Sequence, residues 1–126
     1  MSKFPLLKSR VLVVEDEYLL AYQLAHALED LGAQILGPVP SVKEALALIE
    51  AEGQIDSAVL DVNLDGEMVF PVAEALEARN IGFVFTTGYE PLAIPERYQH
   101  VPRCEKPVAP QAIVLALGRS AVSPRS

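Results

Sequence analysis

The sequence alternates short β-branched apolar runs with longer segments in which apolar residues recur at helical spacing. The first run covers residues 11–14 and ends at the acidic residues 15–17. Runs that are apolar at every position are typical of strands buried on both faces of a sheet. The next stretch places Leu20, Leu24 and Leu28 on one helical face. Because this alternation continues along the chain, we predict an α/β fold whose parallel strands are joined by right-handed crossovers.

Five strands and four helical segments are predicted in this way. The strands are 11–14, 34–39, 57–60, 83–86 and 101–105, and a polar loop is predicted over 62–68. The second helix begins at Ser41 and Glu44, which form a capping-box pattern. Between the last two strands, Pro91 and Pro95 allow only a short or irregular helix. The pattern therefore favours a five-stranded parallel sheet with helices on both faces.

Composition limits the classes of function. A chain of 126 residues fits a single domain, which we expect over 1–122 with a frayed tail over 123–126. A net charge of −7, without a cluster of Lys and Arg, argues against nucleic-acid binding. No apolar run approaches the roughly 20 residues that cross a bilayer, and no secretory signal is apparent at the start. The single cysteine suits a reducing compartment, so we expect a cytoplasmic protein.

Polar residues with chemical potential follow four of the predicted strands. Glu15 and Asp16 follow the first strand, Asp61 the third, Thr87 the fourth and Lys106 the fifth. Because parallel strands end at the same edge of a sheet, these side chains are expected to converge there. Taken singly, each has an ordinary explanation, such as helix capping for Asp16. Their joint placement at the ends of four strands favours a functional site.

The residue types at this edge indicate phosphoryl chemistry. Carboxylates crowded together repel one another unless a cation lies among them, and hard oxygen ligands suit Mg²⁺. A lysine ammonium adds a second positive charge, and a threonine hydroxyl adds a hydrogen-bond donor. The set describes a cradle for a phosphoryl group, with one carboxylate placed to accept it.

The chain resembles a response-regulator receiver domain of two-component signalling over nearly its whole length. The residues that carry the resemblance are 11–17, 60–64, the pair Thr87-Gly88 and the pair Lys106-Pro107. The resemblance implies a flavodoxin-like sheet with strand order 2-1-3-4-5. It also implies a cis peptide between Lys106 and Pro107.

The resemblance further assigns a role to each matching residue. Asp61 is implied as the phosphoacceptor, Thr87 as the switch hydroxyl and Lys106 as the partner of the phosphoryl group. The implied Mg²⁺ ligands are Glu15, Asp16, Asp61 and the backbone carbonyl of Asn63. The implied partners are a sensor histidine kinase or a phosphotransfer protein, together with an unidentified downstream protein.

Residues 85–89 narrow the resemblance. Phe85-Thr86-Thr87-Gly88-Tyr89 is similar to the signature of the alphaproteobacterial FATGUY receivers, with Thr86 in place of alanine. Members of that subgroup are commonly stand-alone or anti-anti-sigma-linked proteins and are paired with kinases of the HWE and related classes. Arg103 stands where most receivers have an aromatic residue three positions before the lysine. We therefore expect phosphorylation to order residues 88–99, whose apolar anchors are Leu92, Ile94 and Tyr98.

Three alternative functions share part of this pattern. The residues Asp61, Asn63 and Asp65 match half of a calcium-binding EF-hand loop, but Val72 replaces the bidentate glutamate at its twelfth position. A phosphatase with an aspartate nucleophile would need a cap or a substrate pocket, and a chain of 126 residues with short loops is expected to offer neither. A receiver that binds partners without phosphorylation would not need the acidic, Thr and Lys positions. The sequence thus favours a phosphorylated signalling domain rather than an independent enzyme.

Overall fold

The structure, a computed structural model, describes residues 3–88 and 93–119. The strands of the main sheet are β1 (Arg10–Val14), β2 (Gln34–Val39), β3 (Ser57–Asp61), β6 (Gly82–Thr87) and β7 (Arg103–Glu105). The strands β4 (Asn63–Leu64) and β5 (Glu67–Met68) form a small hairpin. The helices are α1 (Tyr18–Asp30), α2 (Val42–Ala51), α3 (Phe70–Ala78) and α4 (Pro110–Arg119), and a 3₁₀ turn covers Glu96–Tyr98.

The main sheet has five parallel strands in the order β2-β1-β3-β6-β7. With the hairpin strands set aside, this is the predicted order 2-1-3-4-5, and the flavodoxin-like α/β fold is confirmed. Asp61 pairs in register with Thr86, and Thr87 pairs with Glu105. The carboxyl ends of β3, β6 and β7 therefore lie side by side.

Side-chain alternation along the strands divides the core into two layers. Leu60 and Phe85 face α2 and α3, whereas Val59 and Val84 face α1 and α4. All four residues are buried, as predicted for strands covered on both faces. The central strands are therefore covered by helices on both faces, which leaves their ends available to form a site.

A local prediction about the start of α2 is confirmed, and a glycine explains how α1 ends. The N–H of Glu44 donates to Ser41 Oγ at 3.2 Å, which caps the start of α2. After α1, Gly32 has a φ of +102°, a conformation that L side chains rarely adopt. A Cβ at this position would lie only 2.8 Å from the Cα of Leu7. Glycine thus allows the N-terminal segment to pack against the end of α1.

The structure differs from the sequence prediction over 62–68, where a hairpin replaces the polar loop. Asn63 and Leu64 pair antiparallel with Met68 and Glu67. The N–H of Gly66 donates to Asn63 Oδ1 at 2.6 Å and closes the turn.

The fifth strand is also shorter than predicted and begins at Arg103. The N–H of Val101 donates to the carbonyl oxygen of Tyr98, and Pro102 has no N–H. Neither residue can therefore donate a backbone hydrogen bond to β6.

The connection between β6 and β7 contains the 3₁₀ turn and no longer helix among its described residues. This agrees with the prediction of a short or irregular helix. The predicted anchors Ile94 and Tyr98 are buried. Residues 89–92 lie outside the described part of the chain, as do 120–126, which include the predicted tail. Within the described residues, none of the helices combines the length and the apolar character needed to cross a membrane.

Candidate functional site

Asp61 lies at the last position of β3, and its side chain is buried. Each of its carboxylate oxygens has a hydrogen-bond donor. The N–H of Asn63 donates to Oδ1 at 3.2 Å, and the ammonium of Lys106 donates to Oδ2 at 2.9 Å. The start of the hairpin and the loop after β7 thus both hold this carboxylate.

Glu15 follows β1 directly and is buried as well. Its own N–H donates to the carbonyl oxygen of Val39 at 3.0 Å, which extends the pairing of β1 with β2. Its Oε1 lies 2.9 Å from Lys106 Nζ, and its Oε2 accepts from the N–H of Glu17 at 3.2 Å. Glu15 and Asp61 therefore share the same ammonium group.

Lys106 reaches the two carboxylates from the loop after β7. Its N–H donates to the carbonyl oxygen of Thr87 at 2.8 Å, which continues the β6–β7 pairing by one bond. The peptide bond between Lys106 and Pro107 is cis, as the resemblance implied. The sheet thus directs the Lys106 side chain back across the ends of β3 and β1.

Asp16 completes an acidic cluster with Glu15 and Asp61. One carboxylate oxygen from each residue lies within 4.8 Å of the others. Asp16 does not cap α1, because the N-cap position is Glu17, which makes no side-chain capping bond. Its half-buried carboxylate is therefore not needed by the helix and faces the cluster.

Burial raises the pKa values of both central carboxyl groups. The pKa of Glu15 rises to about 7, mainly through burial and then through its hydrogen bond with Asp61. The pKa of Asp61 is also raised by burial, against the opposing effect of Lys106. Burial lowers the pKa of Lys106, but its bonds to Asp61 and Glu15 outweigh this and raise it. Burial therefore makes these two carboxyl groups keep a proton more readily than they would in water.

The donor set fits a hard divalent cation. The candidate side-chain ligands are all carboxylate oxygens, and one from each residue lies within 4.8 Å of the others, an arrangement that suits a hard cation. The side-chain oxygen of Asn63 is already bonded to Gly66. The backbone carbonyl of Asn63, which the resemblance implies as a further ligand, stays a prediction.

The two threonines at the end of β6 differ in their surroundings. Thr87 is half-buried, and no described residue forms a hydrogen bond with its hydroxyl. Thr86 is buried and lies at a groove of about 290 Å³ between α1 and α4, which Glu15 and Lys106 also line. In the sequence, Thr86 stands with Thr87 at the end of the fourth predicted strand and also replaces a signature alanine. Its place beside Glu15 and Lys106 required the sheet register.

Comparison with known proteins finds solved structures that are similar to this chain. No protein-family model and no curated protein matches the chain. The solution structure of SdrG from Sphingomonas melonis Fr1 is 42% identical, with a TM-score of 0.79. The match covers 94% of this chain and 98% of that one.

Two further structures extend the comparison. The BeF3-activated conformation of SdrG from Pseudomonas melonis Fr1 is 42% identical over 94% of this chain and 98% of its own, with a TM-score of 0.72. The response regulator PhyR from Brucella abortus is 29% identical with a TM-score of 0.69. The PhyR match covers 92% of this chain but only 48% of PhyR, so the similarity is to about half of that protein.

Proposed function

The chain belongs to the response-regulator receiver domains, and on this premise we propose that Asp61 accepts a phosphoryl group from a phosphohistidine. The donor would be a sensor histidine kinase, in keeping with the HWE class of the subgroup, or a phosphotransfer protein. The observation that carries the proposal is the position of Lys106, whose ammonium bridges Asp61 and Glu15 at 2.9 Å from each. A lysine so placed balances the charge of an acceptor carboxylate before transfer and of a phosphoryl group after it.

In the proposed reaction a carboxylate oxygen of Asp61 attacks phosphorus. A P–O bond to Asp61 forms as the P–N bond to the donor imidazole breaks, and the bond electrons leave with the imidazole. The N–H of Asn63 and the ammonium of Lys106 orient the two oxygens of Asp61 before the attack. Thr87, at the end of the neighbouring strand, then donates its hydroxyl to a phosphoryl oxygen. Hydrolysis of the resulting acyl phosphate resets the site.

Mg²⁺ is the cofactor that we propose for this reaction. Its ligands would be the carboxylates of Glu15, Asp16 and Asp61, together with the carbonyl oxygen of Asn63. When bound, it would neutralise charge on the transferring phosphoryl oxygens. Because Glu15, Asp16 and Asn63 would also contribute ligands, Asp61 would not have to hold the ion alone.

We propose that the output is a contact with a downstream protein. The net charge of −7 disfavours a nucleic-acid partner. A domain of this kind acts in the cytoplasm and catalyses only its own phosphorylation and dephosphorylation. The similarity to SdrG over 98% of that chain supports a function carried by the receiver domain itself.

Phosphoramidate, a small donor with a P–N bond, tests the proposal against a phosphatase. With Mg²⁺ present, we expect the chain to gain one phosphoryl group by intact mass, and to lose it after the donor is removed. We expect no sustained turnover of p-nitrophenyl phosphate. Steady release of p-nitrophenol, abolished in Asp61→Asn, would instead assign a phosphatase that uses the same carboxylate.

A further inference from the structure

A buried aromatic cluster joins the turn after β6 to the elements that carry the site. The ring of Tyr98 stacks on Phe70, with an interplanar angle of 10° and 5.6 Å between centroids. It meets Phe85 edge-on at 86° and 6.1 Å, and Phe83 at 65° and 6.3 Å. Tyr98 is only 1% exposed, so the ring fills the interior between β6 and α3.

Two of these contacts lie next to functional segments. Phe85 precedes Thr87 by two residues in β6, and strand alternation places both on the same face of the sheet. Phe70 begins α3 immediately after the hairpin that starts at Asn63. Tyr98 therefore packs against the strand that ends in Thr87 and against α3, the helix that follows the hairpin next to Asp61.

The turn is held from outside by much weaker contacts. The guanidinium of Arg97 lies 4.8 Å from the centre of the Tyr98 ring and pairs with Glu77 at 3.2 Å and Glu74 at 3.6 Å. These three charged side chains are exposed, and exposed pairs of this kind contribute little to stability. The buried ring, rather than the ion pairs, is therefore the stronger contact between the turn and the core.

We propose that Tyr98 is a positioning residue for Thr87. This inference rests on the proposed function and adds a means by which occupancy of the site is coupled to the turn. Arg103, at the position of the usual switch aromatic, is exposed on β7 and has no ring to bury. Tyr98 enters the core from the turn instead and sets the end of β6 through Phe85. Close-packed interiors transmit a local change to their neighbours. Replacing this ring is therefore expected to shift Thr87 away from a bound phosphoryl group.

Affinity for beryllofluoride, a stable phosphoryl mimic, measures this effect. In the presence of Mg²⁺ and by ¹⁹F NMR titration, Tyr98→Leu is expected to weaken binding by at least about fivefold, the lower end of typical coupling between sites. Tyr98→Phe, which keeps the ring, is expected to bind as the parent does. Val101→Ala is the matched control, because Val101 is buried in the same core layer and lies in the same connection. It is expected to lower stability without changing the affinity.

A double-mutant cycle distinguishes a positioning role of Tyr98 from a general loss of stability. If Tyr98 acts through Thr87, Tyr98→Leu has no further effect on affinity in a Thr87→Ala background. The inference would be overturned if Tyr98→Leu lowered the affinity equally in the parent and Thr87→Ala backgrounds. An equal loss of affinity in Val101→Ala would overturn it as well. Phe70→Leu, which removes the stacked partner, gives the same test if Tyr98→Leu does not fold. A parent protein that binds beryllofluoride while all these variants match it overturns this inference alone. A parent that binds none overturns the proposed function as well.

Discussion

The ammonium of Lys106 lies 2.9 Å from Oδ2 of Asp61, although 45 residues separate the two in the sequence. The same ammonium lies 2.9 Å from Glu15 Oε1. One positive charge therefore serves two buried carboxylates, and a third from Asp16 lies close by. Stability, proton binding and cation binding at this site are consequently linked.

Removal of the Lys106 charge is expected to destabilise the protein at neutral pH. Lys106→Met keeps an apolar stem but leaves Glu15 and Asp61 without their shared donor. We expect the free energy of unfolding in urea at pH 7 to fall by about 1–3 kcal/mol, the usual cost of a buried group that loses its partner. Lys43→Met, on an exposed position of α2, is the control and is expected to change it little. Equal unfolding free energies for both variants would contradict the shared-charge account.

The raised pKa of Glu15 predicts that the cation-free protein loses stability as pH rises. A carboxyl group whose pKa is about 7 when folded and 4.5 otherwise keeps its proton more firmly in the folded state. Its stabilising contribution is complete below pH 4.5 and is lost as pH rises through 7.

Urea unfolding between pH 4.5 and 8 in EDTA checks this dependence. Because other groups also titrate, the comparison is with Glu15→Gln, whose amide does not ionise. We expect the free energy of unfolding to fall more steeply with pH in the parent than in this variant. Parallel curves would show that Glu15 does not hold a proton at neutral pH.

Mg²⁺ is expected to stabilise the protein through the acidic cluster. An ion that binds only the folded state at ten times its Kd adds about 1.4 kcal/mol. Thermal unfolding should therefore shift to higher temperature with added MgCl₂, and Asp16→Ala should largely abolish the shift. Glu67→Ala, which removes one exposed negative charge from the hairpin, is the matched control and should retain it. A parent melting temperature unaffected by Mg²⁺ would contradict the proposed cation site.

Hydrogen exchange is expected to report activation in residues 88–99. In the described part of this segment only a 3₁₀ turn is regular, and Ile94 and Tyr98 supply its buried contacts. We expect amides here to exchange more slowly when beryllofluoride is bound, because the segment becomes ordered around Thr87. The amides of α2 serve as the internal control. Strong protection before activation that does not change afterwards would exclude an order–disorder switch.

Much of the fold was predictable because the three central strands are apolar along most of their length. The run at 11–14 stops at Glu15, and the run at 57–60 stops at Asp61, so the strand ends and the site residues are marked together. The parallel order then requires these ends to meet. The strand at 34–39 was predicted with its observed limits.

Features that depend on a single contact or on tertiary packing were not predictable. The hairpin at 62–68 has only two residues in each strand, too few to show an alternating pattern. The role of Asn63 Oδ1 as the acceptor for Gly66 follows from the backbone turn rather than from spacing. The stack of Tyr98 on Phe70 joins residues from different elements, so no local periodicity indicates it.

The most direct test of the central claim is whether Asp61 carries a phosphoryl group. The parent protein and Asp61→Asn are incubated with acetyl phosphate and Mg²⁺, and their intact masses are measured. The amide is nearly isosteric with the carboxylate and cannot form an acyl phosphate. We predict that the parent gains the mass of one phosphoryl group and that Asp61→Asn, equally folded, gains none. A parent of unchanged mass, or an Asp61→Asn protein that gains the same mass, would contradict the account.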